Sequence, residues 1–304
     1  MNLTIAVRHM TVLAMKMFNL SKSTIVSFRT AIYTTFALIA FAANSILCRL
    51  ALSESSIDPA SFTTIRLVSG AVLILLIARI TTKEREVKHP GNWISATMLF
   101  LYAAAFSYAY VSLSAGSGAL ILFASVQATM ILAGLWKGER PRILEWCGLF
   151  LALSGLVYLV MPGLEAPPLV GAFLMTIAGV SWGVYSLRGR GVDNPVAVTG
   201  DNFLRSVPPM IAISLFLIPN LDISMKGVIL AFLSGAVTSG IGYVIWYAVL
   251  GDLSATRAAM VQLLVPVIAA LGGVLFLTEL ITFRLIFSAI LIISGVGSCL
   301  FVRK

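Results

Sequence analysis

Apolar residues run along this chain in blocks of about twenty, separated by short polar or glycine- and proline-bearing stretches. At about 1.5 Å rise per residue, a helix of that length crosses the roughly 30 Å hydrocarbon layer of a bilayer. The blocks predict ten transmembrane helices, over residues 31–52, 60–80, 93–113, 118–136, 144–161, 169–187, 202–219, 227–250, 258–277 and 283–302. The connections leave no room for a soluble domain, so an all-α integral membrane protein is expected.

Two residues disturb the ninth block. Pro266 has no N–H, which frees the carbonyl of Gln262 four residues back, at the level of the Gln262 amide itself. Lipid satisfies neither group, so both are expected to face protein or a water-filled path. Pro266 reads as a hinge, with Gly240, Gly242, Gly272 and Gly273 leaving the helices room to bend.

An earlier stretch, 117–139, has the same form, with Gln127 and a closing Glu139 where the later one has Gln262 and Glu279. An offset of 137 to 140 residues pairs Tyr110 with Tyr247, Leu113 with Leu250, Glu139 with Glu279, Ser154-Gly155 with Ser294-Gly295, Ile39-Ala40 with Ile177-Ala178 and Arg66 with Arg205. Each copy holds five spans. An odd number makes the second copy enter the membrane from the opposite face, so two inverted five-helix repeats around a central cavity are expected, the architecture of secondary transporters. The repeats take residues 31–161 and 169–302, and residues 1–30 are a basic arm in which Lys16 breaks the one apolar run before it becomes a signal sequence.

Composition agrees with the blocks: 59% of residues are hydrophobic, 11% are charged, and the mean hydropathy is +1.00. A net charge of +9 suggests nucleic acid in a soluble protein. Here its placement gives another reading. With the N-terminus inside, sixteen of the 21 Lys and Arg fall on inner segments and four on outer ones, Arg205 being left over. That asymmetry predicts a membrane protein with both termini cytoplasmic and no nucleic-acid partner. Cys48, Cys147 and Cys299 have no ligand spacing, and no cofactor or metal is expected. Gly179-x-Ser181-x-Gly183 fits a nucleophile elbow in letters only, since His9 and His89 lie outside the spans, and no enzyme is expected.

The segments Phe41-Ala-Ala-Asn44-Ser-Ile-Leu-Cys-Arg49, Phe62-Thr-Thr-Ile-Arg66 and Lys137-Gly-Glu139-Arg140 resemble the first half of the EamA family of the drug/metabolite transporter superfamily. Ser181-Trp182-Gly183, Gly242-Tyr243-Val-Ile-Trp246-Tyr247, Ser254-Ala-Thr and Pro266 followed by Glu279 resemble its second repeat. Phe41-Ala42 stands where the family usually has tryptophan and glycine. The resemblance implies helices 1–4 and 6–9 around a cavity, helices 5 and 10 at the periphery, and export of small organic solutes, with YddG-type amino-acid exporters as functional relatives.

On the third span Tyr102, Phe106 and Tyr110 recur every four residues, and on the eighth Tyr243, Trp246 and Tyr247 share a face. Such stripes either line a solute path, one toward each mouth, or belong to the aromatic belts at the membrane surfaces. Asn44, Gln127 and Gln262, with Trp182 and Tyr185, are candidate solute contacts or interhelical links. Arg66 and Arg205 lie about a turn inside opposite faces, where an arginine snorkels, closes a helix end, or binds a carboxylate.

All twelve acidic residues fall in loops or near the predicted helix ends, which favours facilitated diffusion over proton coupling. A proton-coupled exporter, a solute channel and a membrane scaffold remain open, as does the choice between monomer and homodimer. Gly148, Ala152 and Gly155 with Ser294, Gly295 and Ser298 are spaced for close helix packing, within the chain or between copies. The partners expected are a small-molecule solute and the lipid bilayer.

Overall fold

The computed structural model describes residues 28–53, 55–81, 91–138, 140, 143–161, 166–216, 222–253 and 255–300. The basic arm, Glu139, Ser254 and both histidines lie outside the described residues, apart from the arm's last three positions. Among those described, the chain forms ten helices: α1 (Phe28–Ser53), α2 (Pro59–Thr81), α3 (Trp93–Tyr110), α4 (Ala115–Trp136), α5 (Ile143–Val160), α6 (Leu169–Arg188), α7 (Pro195–Phe216), α8 (Met225–Leu250), α9 in two pieces (Ala255–Val261 and Leu264–Leu277) and α10 (Phe283–Leu300). Six of the ten are long and apolar enough to cross a membrane: α1, α2, α4, α6, α8 and the run Arg257–Leu277 of α9.

Three helices depart from the apolar blocks, each for a local reason. The start of α7 is Pro195 rather than residue 202, because proline loses nothing in a first turn and Asn194 accepts the Ala197 N–H at 3.0 Å. This places Asp201 inside the helix rather than in a loop or near a helix end, and it pairs with Arg205 one turn on, at 3.0 Å. The helix α8 carries nine residues of π-helix, Leu233–Ile241, built from small side chains that tolerate the wider turn. The block expected as one ninth helix is broken at Gln262–Leu263. There the carbonyl that Pro266 leaves free accepts the Val265 N–H at 3.0 Å, so the break consumes it.

The helices pair in a regular way. Helix α1 packs on α8 and α9, as α6 packs on α3 and α4; α2 packs on α7 and α8, as α7 packs on α2 and α3. Exchanging each helix with the one five places away leaves these pairings unchanged. Helices α5 and α10 hold each other and reach the rest chiefly through α4 and α9. Their small residues make this possible: a Cβ on Gly295 would lie 2.4 Å from the Gly148 carbonyl oxygen, and one on Gly155 would lie 2.9 Å from Leu291 Cβ. Large apolar side chains such as Phe150, Phe173, Leu215 and Leu275 are exposed on the outer faces, where a bilayer would cover them.

The two ends of the bundle are closed differently. At one end Thr278 takes a left-handed conformation (φ 52°) after α9, and this turns Glu279 back over the bundle. Glu279 accepts the Ala115 N–H at the start of α4 (2.9 and 3.1 Å) and the Arg49 Nε of α1 (3.3 Å). At the other end Arg188 donates to Ser95 and Asn92, Asn202 accepts the Asn92 N–H, and Arg190 reaches the Leu253 carbonyl.

Candidate functional site

The two aromatic stripes meet in the middle of the bundle and form one column. Ring centroids run from Tyr110 to Phe106 (4.7 Å), Tyr102 (5.3 Å), Trp182 (5.0 Å), Tyr185 (5.6 Å) and Tyr247 (5.1 Å), from the Glu279 end to the Arg188 end. Tyr243 closes on Trp182 at 4.5 Å, and Phe41 of α1 packs edge-on against Trp182, Tyr243 and Trp246 at 5.3 to 5.9 Å. Every one of these rings is at most 5% exposed, which excludes the interfacial belt. In the conformation described, the rings occupy the place where a central cavity is expected, so anything reaching them must first part the helices.

The polar tips of these rings are anchored except at Tyr185, whose buried hydroxyl meets no protein partner. Tyr110 donates to the Ala115 carbonyl at 3.3 Å and Tyr247 to the Tyr185 carbonyl at 3.0 Å, one tie at each end of the column. Trp246 Nε1 donates to Ser186 at 3.3 Å. The Gln262 amide takes the Trp182 indole N–H at 2.9 Å and donates to the Ala258 carbonyl at 3.0 Å, so the break in α9 fixes the orientation of the central ring. Gln127 is buried on α4 with an Oε1 that meets no protein donor.

A second group of polar residues crosses the column at the level of Tyr102. Asn44 Nδ2 donates to Tyr102 Oη (3.3 Å), while its Oδ1 accepts the hydroxyls of Ser234, Thr238 and Ser239 at 2.6, 3.2 and 3.4 Å. Three hydroxyls from one helix converge on one oxygen because the π-turn brings residues five apart onto the same face. Arg66 joins them from α2. It is 1% exposed, so it does not snorkel; Nε donates to Ser239 at 3.0 Å, Nη2 donates to Tyr102 and Tyr243 at 3.1 and 2.9 Å, and Nη1 has no protein partner. Its guanidinium carbon lies 5.2 and 5.0 Å from the Tyr102 and Phe106 ring centres. Arg205 has no part in this cluster: it pairs with Asp201 and covers the Trp93 ring at 5.2 Å.

The chain matches the EamA-like transporter family twice, over residues 13–161 and 169–300. It belongs to that family. An uncharacterised protein of Pseudomonas aeruginosa, PA1977, is 46% identical over 269 residues, covering 88% of this chain and 93% of its own. The transporter YoaV of Bacillus subtilis is 23% identical over 79% of this chain and 86% of its own. A probable amino-acid metabolite efflux pump of Escherichia coli is 25% identical over 68% and 76%. A solved structure described as "Crystal structure of protein" matches the fold with a TM-score of 0.65 at 19% identity, over 88% of this chain and 99% of its own. This EamA-family chain is thus a multi-pass membrane transporter, which is not an enzyme class.

Within that assignment, the π-turn hydroxyls Ser234, Thr238 and Ser239 are the site residues the sequence pattern did not single out. The signal present was the run of small residues from Ser234 to Gly242, which reads as packing until its backbone is known. Gly235 is needed for the close approach of α2: a Cβ there would lie 2.1 Å from both the Arg66 carbonyl oxygen and Ser69 Oγ. Phe41 supplies the ring that α1 contributes to the column.

Proposed function

We propose that this protein exports small organic solutes, amino acids or related metabolites with aromatic or apolar bodies, by alternating access between two inverted five-helix repeats in a bacterial inner membrane. The unchanged helix pairings under a five-place exchange support the inverted repeats, and the sixteen-to-four charge asymmetry supports cytoplasmic termini. The amino-acid class rests on the printed name of the Escherichia coli relative and on rings that can stack on such solutes.

One observation carries the alternating-access reading. The ring column runs the length of the bundle, yet it is closed by a hydrogen-bonded ring at each end and by the Trp182–Gln262 pair between them. A permanently open pore is incompatible with such burial, whereas a site opened from one end at a time requires it. Facilitated diffusion is the simpler energetics, because Glu279 sits at a bundle end and Asp201 is paired with Arg205, leaving no unpaired carboxylate in the column among the described residues.

Uptake of a panel of labelled amino acids into proteoliposomes, with and without a pH gradient, tests both parts. Saturable uptake indifferent to the gradient is expected. Uptake that requires or moves protons sinks the facilitator, and non-saturating flux with conductance favours a channel. Pro266→Ala restores an N–H that can bond the Gln262 carbonyl, and is expected to slow flux in a protein that still folds; unchanged flux removes the hinge.

A further inference from the structure

Arg66 is a full positive charge with no negative group beside it among the described residues: each of its partners is a neutral hydroxyl or ring, and Nη1 has none. A buried cation in that situation is costly, because it has given up water without gaining a counter-charge. The surroundings compound the imbalance. The Tyr102 phenol oxygen, with two lone pairs, receives Arg66 Nη2, Asn44 Nδ2 and the Tyr243 hydroxyl at 3.1, 3.3 and 3.0 Å. The Asn44 carbonyl oxygen is likewise shared by three hydroxyls. Six donors thus converge on two acceptor oxygens. What would relieve it is a group with several acceptor sites, a negative charge and no donors.

We propose that Arg66 is the receptor for the carboxylate of the transported solute, an inference that rests on the transport reading above and names the part of the solute the site recognises. A carboxylate offers about four lone-pair sites and matches the planar guanidinium fork. It takes Nη1 together with a donor now spent on Tyr102, which frees that phenol as the helices part. A single guanidinium with neutral neighbours balances one negative charge, so a monoanion suits the site better than a phosphate dianion. The Phe106, Tyr102 and Trp182 rings beside it give the solute body an apolar, aromatic wall.

The test uses three probes of one shape: phenylpropanoate, phenylalanine and phenylpropanamide, with the full chain reconstituted in liposomes. Both carboxylates are expected to move about ten- to a hundredfold faster than the amide, the span that a hydrogen bond to a charged group supplies. Whichever of the two runs faster tells whether the carboxylate arrives on an amino acid or on a plain acid. In Arg66→Gln the acid-to-amide ratio is expected to fall toward one, and Arg66→Lys to keep part of it. Where the glutamine variant does not fold, the melting temperature of the wild-type protein decides, since phenylpropanoate should raise it and the amide should not. A ratio near one in the wild type, or a ratio that survives Arg66→Gln, overturns the proposal while leaving transport standing. A chain stabilised by phenylpropanoate but moving none of the probes keeps the carboxylate and loses transport; a chain that does neither loses both.

Discussion

Arg66 and Arg205 occupy positions that an offset of 139 residues pairs, and their surroundings are opposite. Arg205 has a carboxylate one helical turn away, a tryptophan ring beneath it and a side chain still 28% exposed. Arg66 is 1% exposed and has only hydroxyls and rings. The two halves share a helix plan, but in only one of them is the arginine left uncompensated. Duplication preserved the positions and not the chemistry, so the cluster around Arg66 belongs to α1, α2, α3 and α8 acting together.

The largest expected effect breaks that comparison outright. Flux of a carboxylate solute through Arg66→Gln should fall about ten- to a hundredfold, while Arg205→Gln should stay within about threefold, as a partly exposed pair contributes only about 0 to 1 kcal/mol. Equal losses in the two variants would mean that both arginines serve folding. Next comes Tyr243→Phe, which removes an acceptor that competes with the solute for Arg66 and is expected to tighten carboxylate binding about fivefold, the equivalent of one hydrogen bond of about 1 kcal/mol, read as a shift in half-saturating concentration. At the Glu279 end, a double-mutant cycle with Arg49→Gln and Glu279→Gln should give a coupling of about 1 kcal/mol in thermal unfolding, larger than that of the Asp201–Arg205 pair, because its side chains are less exposed, 20% and 16% against 28% and 26%. The smallest is Asp201→Asn, expected to change unfolding by less than about 0.5 kcal/mol.

Much of this was legible from the order of residues. Ten apolar blocks became ten helices, and the aromatic stripes on α3 and α8 were found on the faces that a spacing of three or four predicts. What hydropathy could not see was polar sequence inside a helix. The first turns of α7, Pro195 to Asp201, fall outside the predicted block because Gly200 and the charged Asp201 separate Val196–Val198 from the apolar run, although the chain helixes through them. The π-segment of α8 is equally hidden, since a period of 3.6 residues per turn does not bring residues five apart onto one face. The depth of Arg66 was misjudged for a third reason. An arginine a turn inside a span can snorkel only if its side chain has a path to the surface, and that path is set by neighbouring helices that no local pattern encodes.

From the turn after α9 the Glu279 carboxylate binds two separate parts of the bundle, Arg49 of α1 and the first amide of α4, while remaining within reach of solvent. Dissolved ions compete with such a junction over a Debye length of about 8 Å at physiological strength. The opposite mouth is held by Arg188 and Tyr247 on neutral partners. Rising salinity is therefore expected to loosen the junction at this end of the bundle more than the hydrogen bonds at the other.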